Sequence, residues 1–246
     1  SLGGSLAESS LVPRALKMPS LDGRARIHNH NITWASLVCN PVGNALSAKR
    51  VLNQFKPKNE DESVRLALAK SQLAESQKAP AEAATELELA LLNFPDQPDL
   101  LYERAMVAER QDDLPRVEQF LKRLIAVRPE NPHGYNALGY TWAENNIRLE
   151  EAYELIKKAV ELAPNDPFIL DSLGWVHYRL GKLDSAEATL QKAFGLRQDE
   201  EIGLHLLEVL LKSGKKEEAR QLGNSLTVRY PDSKALKKLV QQLEGI

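Results

Sequence analysis

The sequence predicts an all-α protein built from stacked helical hairpins, and three observations carry that prediction. Prolines closing helix-like apolar segments recur at Pro95, Pro129, Pro164 and Pro231, separated by 34, 35 and 67 residues; the last gap is two periods, with Gln198 where a proline would fall. Small residues keep the same beat: Gly139 and Gly174 lie 35 apart, Gly181 and Gly214 33 apart, and Ala152, Ala186 and Ala219 follow at 34 and 33. Between these markers the apolar residues recur at helical spacing. A hairpin of this size cannot bury its own apolar face, so stacking must supply the core.

Residues 1–43 show no convincing helical or strand period. They lack an initiating Met, contain the protease-site-like run Leu11-Val12-Pro13-Arg14, and are expected to be an irregular or engineered leader. Ala45 and Leu52 precede Pro57 as in the later units, so 44–63 reads as the second helix of an earlier repeat and a linker. Five units follow, at 64–97, 98–131, 132–166, 167–199 and 200–233. The third is clearest: Tyr135, Leu138, Gly139 and Trp142 mark one helix face, Glu144-Asn145-Asn146 breaks it, and Ala152, Ile156, Ala159 and Leu162 mark the second helix. Gly139 and Ala152 are expected where the two helices cross, because only small side chains let the backbones approach. After Pro231, Leu236, Leu239, Val240 and Leu243 form one apolar stripe, which makes 234–246 a capping helix over the exposed end of the array.

The composition narrows the function classes. The 246 residues are 43% hydrophobic and 27% charged, enough to bury a core. Thirty-two basic against 34 acidic residues give a net charge of −2. It divides into +4 over residues 1–50 and −6 over the remainder, which argues against nucleic acid as a partner. The single Cys39 rules out a disulfide framework, and no stretch is apolar enough for a transmembrane segment. Five histidines show no metal-ligand spacing; His28-x-His30 has no carboxylate beside it, and His177 is expected to pack between repeats with a satisfied ring nitrogen. No phosphate-cradling or nucleophile motif occurs, so neither a cofactor nor enzymatic activity is expected.

The pattern resembles the tetratricopeptide-repeat family, helix–turn–helix units of 34 residues. Leu170, Leu173, Gly174, His177, Gly181, Ala186, Leu190 and Ala193 fall at its marker positions; Leu207 departs from them, standing where glycine or alanine is usual. The resemblance implies a right-handed superhelix of about five repeats, whose first helices line a concave groove that binds a protein or peptide. Carried over, the groove residues are Tyr102, Met106, Asn136, Tyr140, Phe168, Asp171, Trp175, Tyr178, Arg179 and His205. Tyr102, Tyr140, Trp175 and Tyr178 are expected to act as aromatic anchors, with Asn136, Asp171 and Arg179 setting register by hydrogen bonds. The family's carboxylate clamp needs basic residues and asparagines where this chain has Tyr102, Met106, Ala137, Phe168 and Ser172, so acidic C-terminal peptides are not expected ligands.

Residues 100 to 193 also look like the C-terminal repeats of a proteobacterial outer-membrane lipoprotein that serves as adaptor for a C-terminal processing protease. That similarity implies a periplasmic scaffold, with the protease or its substrates as partners; the residues themselves leave a cytoplasmic location open. Two further readings stay open on the residues alone: a subunit regulating an enzyme allosterically, and an RNA-binding helical repeat.

Overall fold

The computed structural model describes residues 45–244, and these contain twelve α-helices and no strand. The expected leader, with Cys39, His28 and His30, lies outside the described residues. The helices are α1 (Ala45–Gln54), α2 (Glu60–Ser76), α3 (Pro80–Asn93), α4 (Pro98–Arg110), α5 (Leu114–Val127), α6 (Pro132–Glu144), α7 (Leu149–Leu162), α8 (Pro167–Arg179), α9 (Leu183–Leu196), α10 (Glu200–Lys212), α11 (Lys216–Arg229) and α12 (Lys234–Glu244). They group into two compact units, divided between Gly134 and Tyr135. The first repeat starts at Glu60, four residues earlier than its apolar spacing indicates. Asn59 caps α2 by accepting the Glu62 amide at 2.8 Å, and three acidic residues fill the first turn, favourable at the positive end of a helix.

Local chemistry repeats with the hairpin. The first helix of each unit is preceded by an amide or carboxylate side chain that takes up an otherwise orphaned backbone N–H. After Asn59 these are Gln97 on the Leu100 amide, Asn131 on His133, Asp166 on Phe168 and Ile169, and Asp199 on Glu201. Pro98, Pro132 and Pro167 then open three of these helices, where no amide proton is needed. Within each hairpin the turn places one residue at positive φ: Lys78, Asp112, Asn146, Gly181 and Gly214. Glycine meets that demand without strain at two of the five turns. The third repeat is one residue longer, and its turn absorbs the insertion with a second left-handed residue, Arg148, at φ 46°.

In the 45–134 unit, Ala48 and Leu52 of α1 pack against Ala69 and Leu73 of α2. The main cluster joins Val64, Ala67, Ala83, Leu87, Leu100 and Val107. Arg104 is fully buried where the corresponding residues of later units are Leu138, Leu173 and Leu206. Its guanidinium pairs with Glu88 at 2.6 Å and lies 5.1 Å above the Phe120 ring.

The 135–244 unit shows why small residues mark the hairpin crossing. A Cβ on Gly139 would stand 2.6 Å from Ile156 Cγ1 and 2.9 Å from the Ala152 carbonyl oxygen; one on Gly174 would stand 2.5 Å from Leu190 Cγ. The last repeat reverses the arrangement. Leu207 occupies the glycine position, and Gly223 replaces the large residue opposite, where earlier units have Ile156 and Leu190. One turn away, Gly203 stands where Tyr135 and Leu170 stand. Leu226 fills the space there, at the position of Ala159 and Ala193. Large and small side chains have exchanged sides at both contacts, so Leu207 is compensated and not a defect. Gly223 also faces α12: a Cβ there would touch Val240 at 3.4 Å and Leu243 at 3.6 Å, ordinary contact distances that leave room for a methyl group and little more. Leu236 and Leu243 are buried against the last hairpin, as a cap requires.

Candidate functional site

The two units hold different parts of the expected groove. Tyr102 and Met106 lie on α4 in the 45–134 unit, and both are buried. Burial, reinforced by Glu109 and Glu103, pushes the Tyr102 phenol well above its ordinary range. These two side chains are packing elements of their unit, with little surface to offer a ligand.

The remaining expected residues lie in the 135–244 unit, on the first helices α6, α8 and α10. Asn136, Tyr140, Asp171 and Trp175 are buried; Phe168, Tyr178, Arg179 and His205 are partly buried. The aromatic residues do not stand free as anchors. Trp175 donates its indole N–H to Glu144 at 2.8 Å, Tyr178 donates its hydroxyl to Glu208 at 3.1 Å, and the Tyr140 hydroxyl reaches Glu201 at 3.4 Å. Each bond joins one repeat to another and fixes a carboxylate. Trp175 also stacks on His205, ring centroids 4.3 Å apart and planes 20° apart. Arg179 lies 5.8 Å from the Trp175 ring centre, and Arg197 covers Phe168 at 5.0 Å.

Asp171 and His205 form a bridge between α8 and α10, with Nδ1 2.9 and 3.0 Å from the two carboxylate oxygens. Burial alone works against a charge on His205. Asp171, by charge and hydrogen bond, and the charges of Glu201 and Glu144 outweigh it and raise the imidazole to about 9. Glu201 moves up to about 7, chiefly by burial and then by Asp171 and Asp199, against the opposing pull of His205 and the Tyr140 hydroxyl. Among the described residues no group of His, Cys, Asp and Glu is placed to hold a metal ion.

These side chains border a pocket of about 550 Å³. Tyr140, Glu144, Trp175 and His205 line one side; Leu204, Glu201 and Glu208 come from α10; Tyr230 after α11, and Ala235 and Leu239 of the capping helix α12, close it. The volume falls within the range of about 300–1,000 Å³ usual for ligand sites. The groove positions carried over from the repeat family include Tyr140, Trp175 and His205, which line this pocket, but omit Glu201 and the Tyr230–Leu239 wall. Glu201 holds the same place in its unit as Phe168 in the preceding one, which is the signal that could have found it. Tyr230 ends the last repeat, and Ala235 and Leu239 lie beyond it on the capping helix, where the repeat's groove positions no longer apply. His177 packs as expected, 5.5 Å from the Tyr153 ring, but its Nδ1 is buried with no partner among the described residues, and burial with Lys182 lowers its basicity.

Comparisons with known proteins agree with the hairpin geometry. A tetratricopeptide-repeat family model matches residues 172–234. The TPR repeat-containing protein PA4667 of Pseudomonas aeruginosa is 38% identical over 167 residues, 68% of this chain but only 28% of that protein's length. The solved structure of TTC0263, a thermophilic TPR protein of Thermus thermophilus, superimposes with a TM-score of 0.65 at 24% identity, covering 76% of this chain and all of that one. PilW, a type IV pilus biogenesis factor, gives 0.66 at 16% identity over 80% and 90% of the two chains. At these identities the structural likenesses speak for the fold. The family model and the PA4667 match, together with the repeated hairpins and the small residues at the Gly139 and Gly174 crossings, place the chain in the tetratricopeptide-repeat family.

Proposed function

We propose that the chain is a non-catalytic scaffold that binds a peptide or helical segment of a protein partner in the pocket on α6, α8 and α10. One observation carries the reading: 550 Å³ of space bordered by Leu204, Tyr230 and Leu239 as well as by the oriented Glu144, Glu201 and Glu208. Apolar walls supply binding energy, and fixed polar groups supply register. The finer role, adaptor for a C-terminal processing protease at the periplasmic face of an outer membrane, rests on the resemblance of residues 100 to 193 alone.

Site-specific photo-crosslinking tests the groove. A benzophenone side chain at Leu204 or Ala235 faces the pocket, and one at exposed Ala188 on α9 serves as control. The first two should trap a common partner in cells, and Ala235→Trp, which fills the pocket without removing a packed side chain, should abolish that product. Trapping from Ala188 alone would refute the groove. Recovery of a processing protease or its substrates in the product would support the adaptor role; recovery of only unrelated proteins would count against it.

A further inference from the structure

Building on the groove reading, we propose that this pocket selects a basic partner segment, seating an arginine or lysine among Glu144, Glu201 and Glu208 with apolar neighbours against Leu204, Tyr230 and Leu239. Three features converge on a cation. Each of the three carboxylates accepts its hydrogen bond from an uncharged donor, the Trp175 indole or the Tyr178 or Tyr140 hydroxyl, so its geometry is fixed by a group that brings no positive charge. Among the described residues no lysine or arginine forms an ion pair with any of them, whereas carboxylates such as Glu88, Glu118 and Glu187 are paired. Three cations border the pocket against five carboxylates, Glu144, Glu200, Glu201, Glu208 and Asp232. His205 is engaged by both oxygens of Asp171, Arg229 donates to the Gln198 carbonyl, and among the described residues neither Arg229 nor Lys234 forms an ion pair with Glu144, Glu201 or Glu208.

A charge that is oriented but unneutralised beside apolar walls is complementary to a cation carried on an otherwise apolar segment. Guanidinium fits best, because it can bridge two carboxylates through separate N–H groups. The raised Glu201 adds a signature: a seated cation favours its ionised form, so binding near neutral pH should release protons.

The test uses fluorescein-labelled octapeptides alternating arginine and leucine, with citrulline or glutamate replacing arginine in two controls, read by anisotropy against the full chain. The arginine peptide should bind at least about tenfold more tightly than the citrulline peptide, the loss expected for one charge-assisted contact. Glu201→Gln and Glu208→Gln should each weaken the arginine peptide about fivefold or more. Glu154→Gln, on the exposed face of α7, should leave it unchanged. Circular dichroism of each variant confirms that the helices persist. Calorimetry near pH 7 in buffers of different ionisation enthalpy should show proton release. Equal affinity for the arginine and citrulline peptides, or no effect of the two groove variants, would overturn the basic selectivity. If crosslinking from Leu204 and Ala235 still traps a partner, the groove reading survives that result; if both experiments fail, both readings fall.

Discussion

The hairpin crossings offer a graded test of how this chain is held together, because three glycines at them differ in what a methyl group would strike. Alanine is the better helix former by about 1 kcal/mol, so any loss on Gly→Ala must exceed that gain. At Gly139 the new Cβ meets the Ala152 carbonyl oxygen at 2.9 Å and the Ile156 branch at 2.6 Å, and backbone cannot swing aside. At Gly174 the nearest atom is Leu190 Cγ at 2.5 Å, with the Ala186 oxygen at 3.3 Å. At Gly203 the obstacles are the ends of Leu226 at 2.6 and 3.1 Å and of Phe194 at 3.2 Å. Overpacking typically costs about 1–3 kcal/mol before relaxation. The expected net losses are therefore about 2 kcal/mol for Gly139→Ala, about 1 for Gly174→Ala and close to zero for Gly203→Ala.

Urea unfolding followed by circular dichroism measures the series, and a mutant cycle sharpens it. Leu226→Ala alone should cost about 2–4 kcal/mol, since it empties a site only 2% exposed. Combined with Gly203→Ala it should cost about 1 kcal/mol less than the sum, because the added methyl occupies part of the vacated space. If Gly203→Ala proves the most damaging of the three, or if the cycle is additive, the reading of the last repeat as a large-for-small exchange is wrong.

Three further outcomes follow from the same structure. Because Gly223 faces α12 with room for little more than a methyl group, Gly223→Leu should displace α12, exposing the amides of 234–244 to faster hydrogen exchange while α8 and α9 stay protected; unchanged exchange in α12 would refute the contact. Arg104→Leu installs the residue of the later units and removes a fully buried guanidinium, while its partner Glu88, half exposed, can be hydrated once unpaired. Stability should therefore stay within about 1 kcal/mol or rise; a loss of several kcal/mol in urea would show that the Glu88 pair is required. His205 faces Asp171, Glu201 and Glu144, and the fold holds its proton up to about 9 against an ordinary 6.5. Its contribution, about 3 kcal/mol, is therefore complete below about pH 6.5 and lost as pH rises through about 9. Wild type should lose that much more stability than His205→Gln between pH 6.5 and 9.5, and parallel pH profiles would exclude it.

The hairpins are legible in the sequence because their signals are local: a proline or a polar cap at each helix start, an apolar period, a turn residue. Even there, composition does not reveal everything. Gly181 and Gly214 announce left-handed turns, but Lys78 adopts the same conformation with no such mark, held by the two helices it joins. The crossing at Leu207 is opaque for a different reason. Judged against one marker position it is a departure; its meaning lies in Gly223, and that pairing exists only in three dimensions.

The pocket divides along the same line. The family positions of Tyr140, Asp171, Trp175, Tyr178 and His205 all fall on first helices, α6, α8 and α10, since position within a hairpin sets the face. Position cannot say how deeply they sit, because that depends on which side chain the adjoining repeat presents. Trp175 is 3% exposed because Glu144 takes its N–H and His205 covers its face. The aromatic residues, read one at a time, look like anchors waiting for a partner; in place, they orient Glu144, Glu201 and Glu208. On the proposed reading, that inversion moves the recognition chemistry from the rings to the carboxylates, and the charge of the partner, not its aromatic content, becomes the property that the peptide experiment must vary.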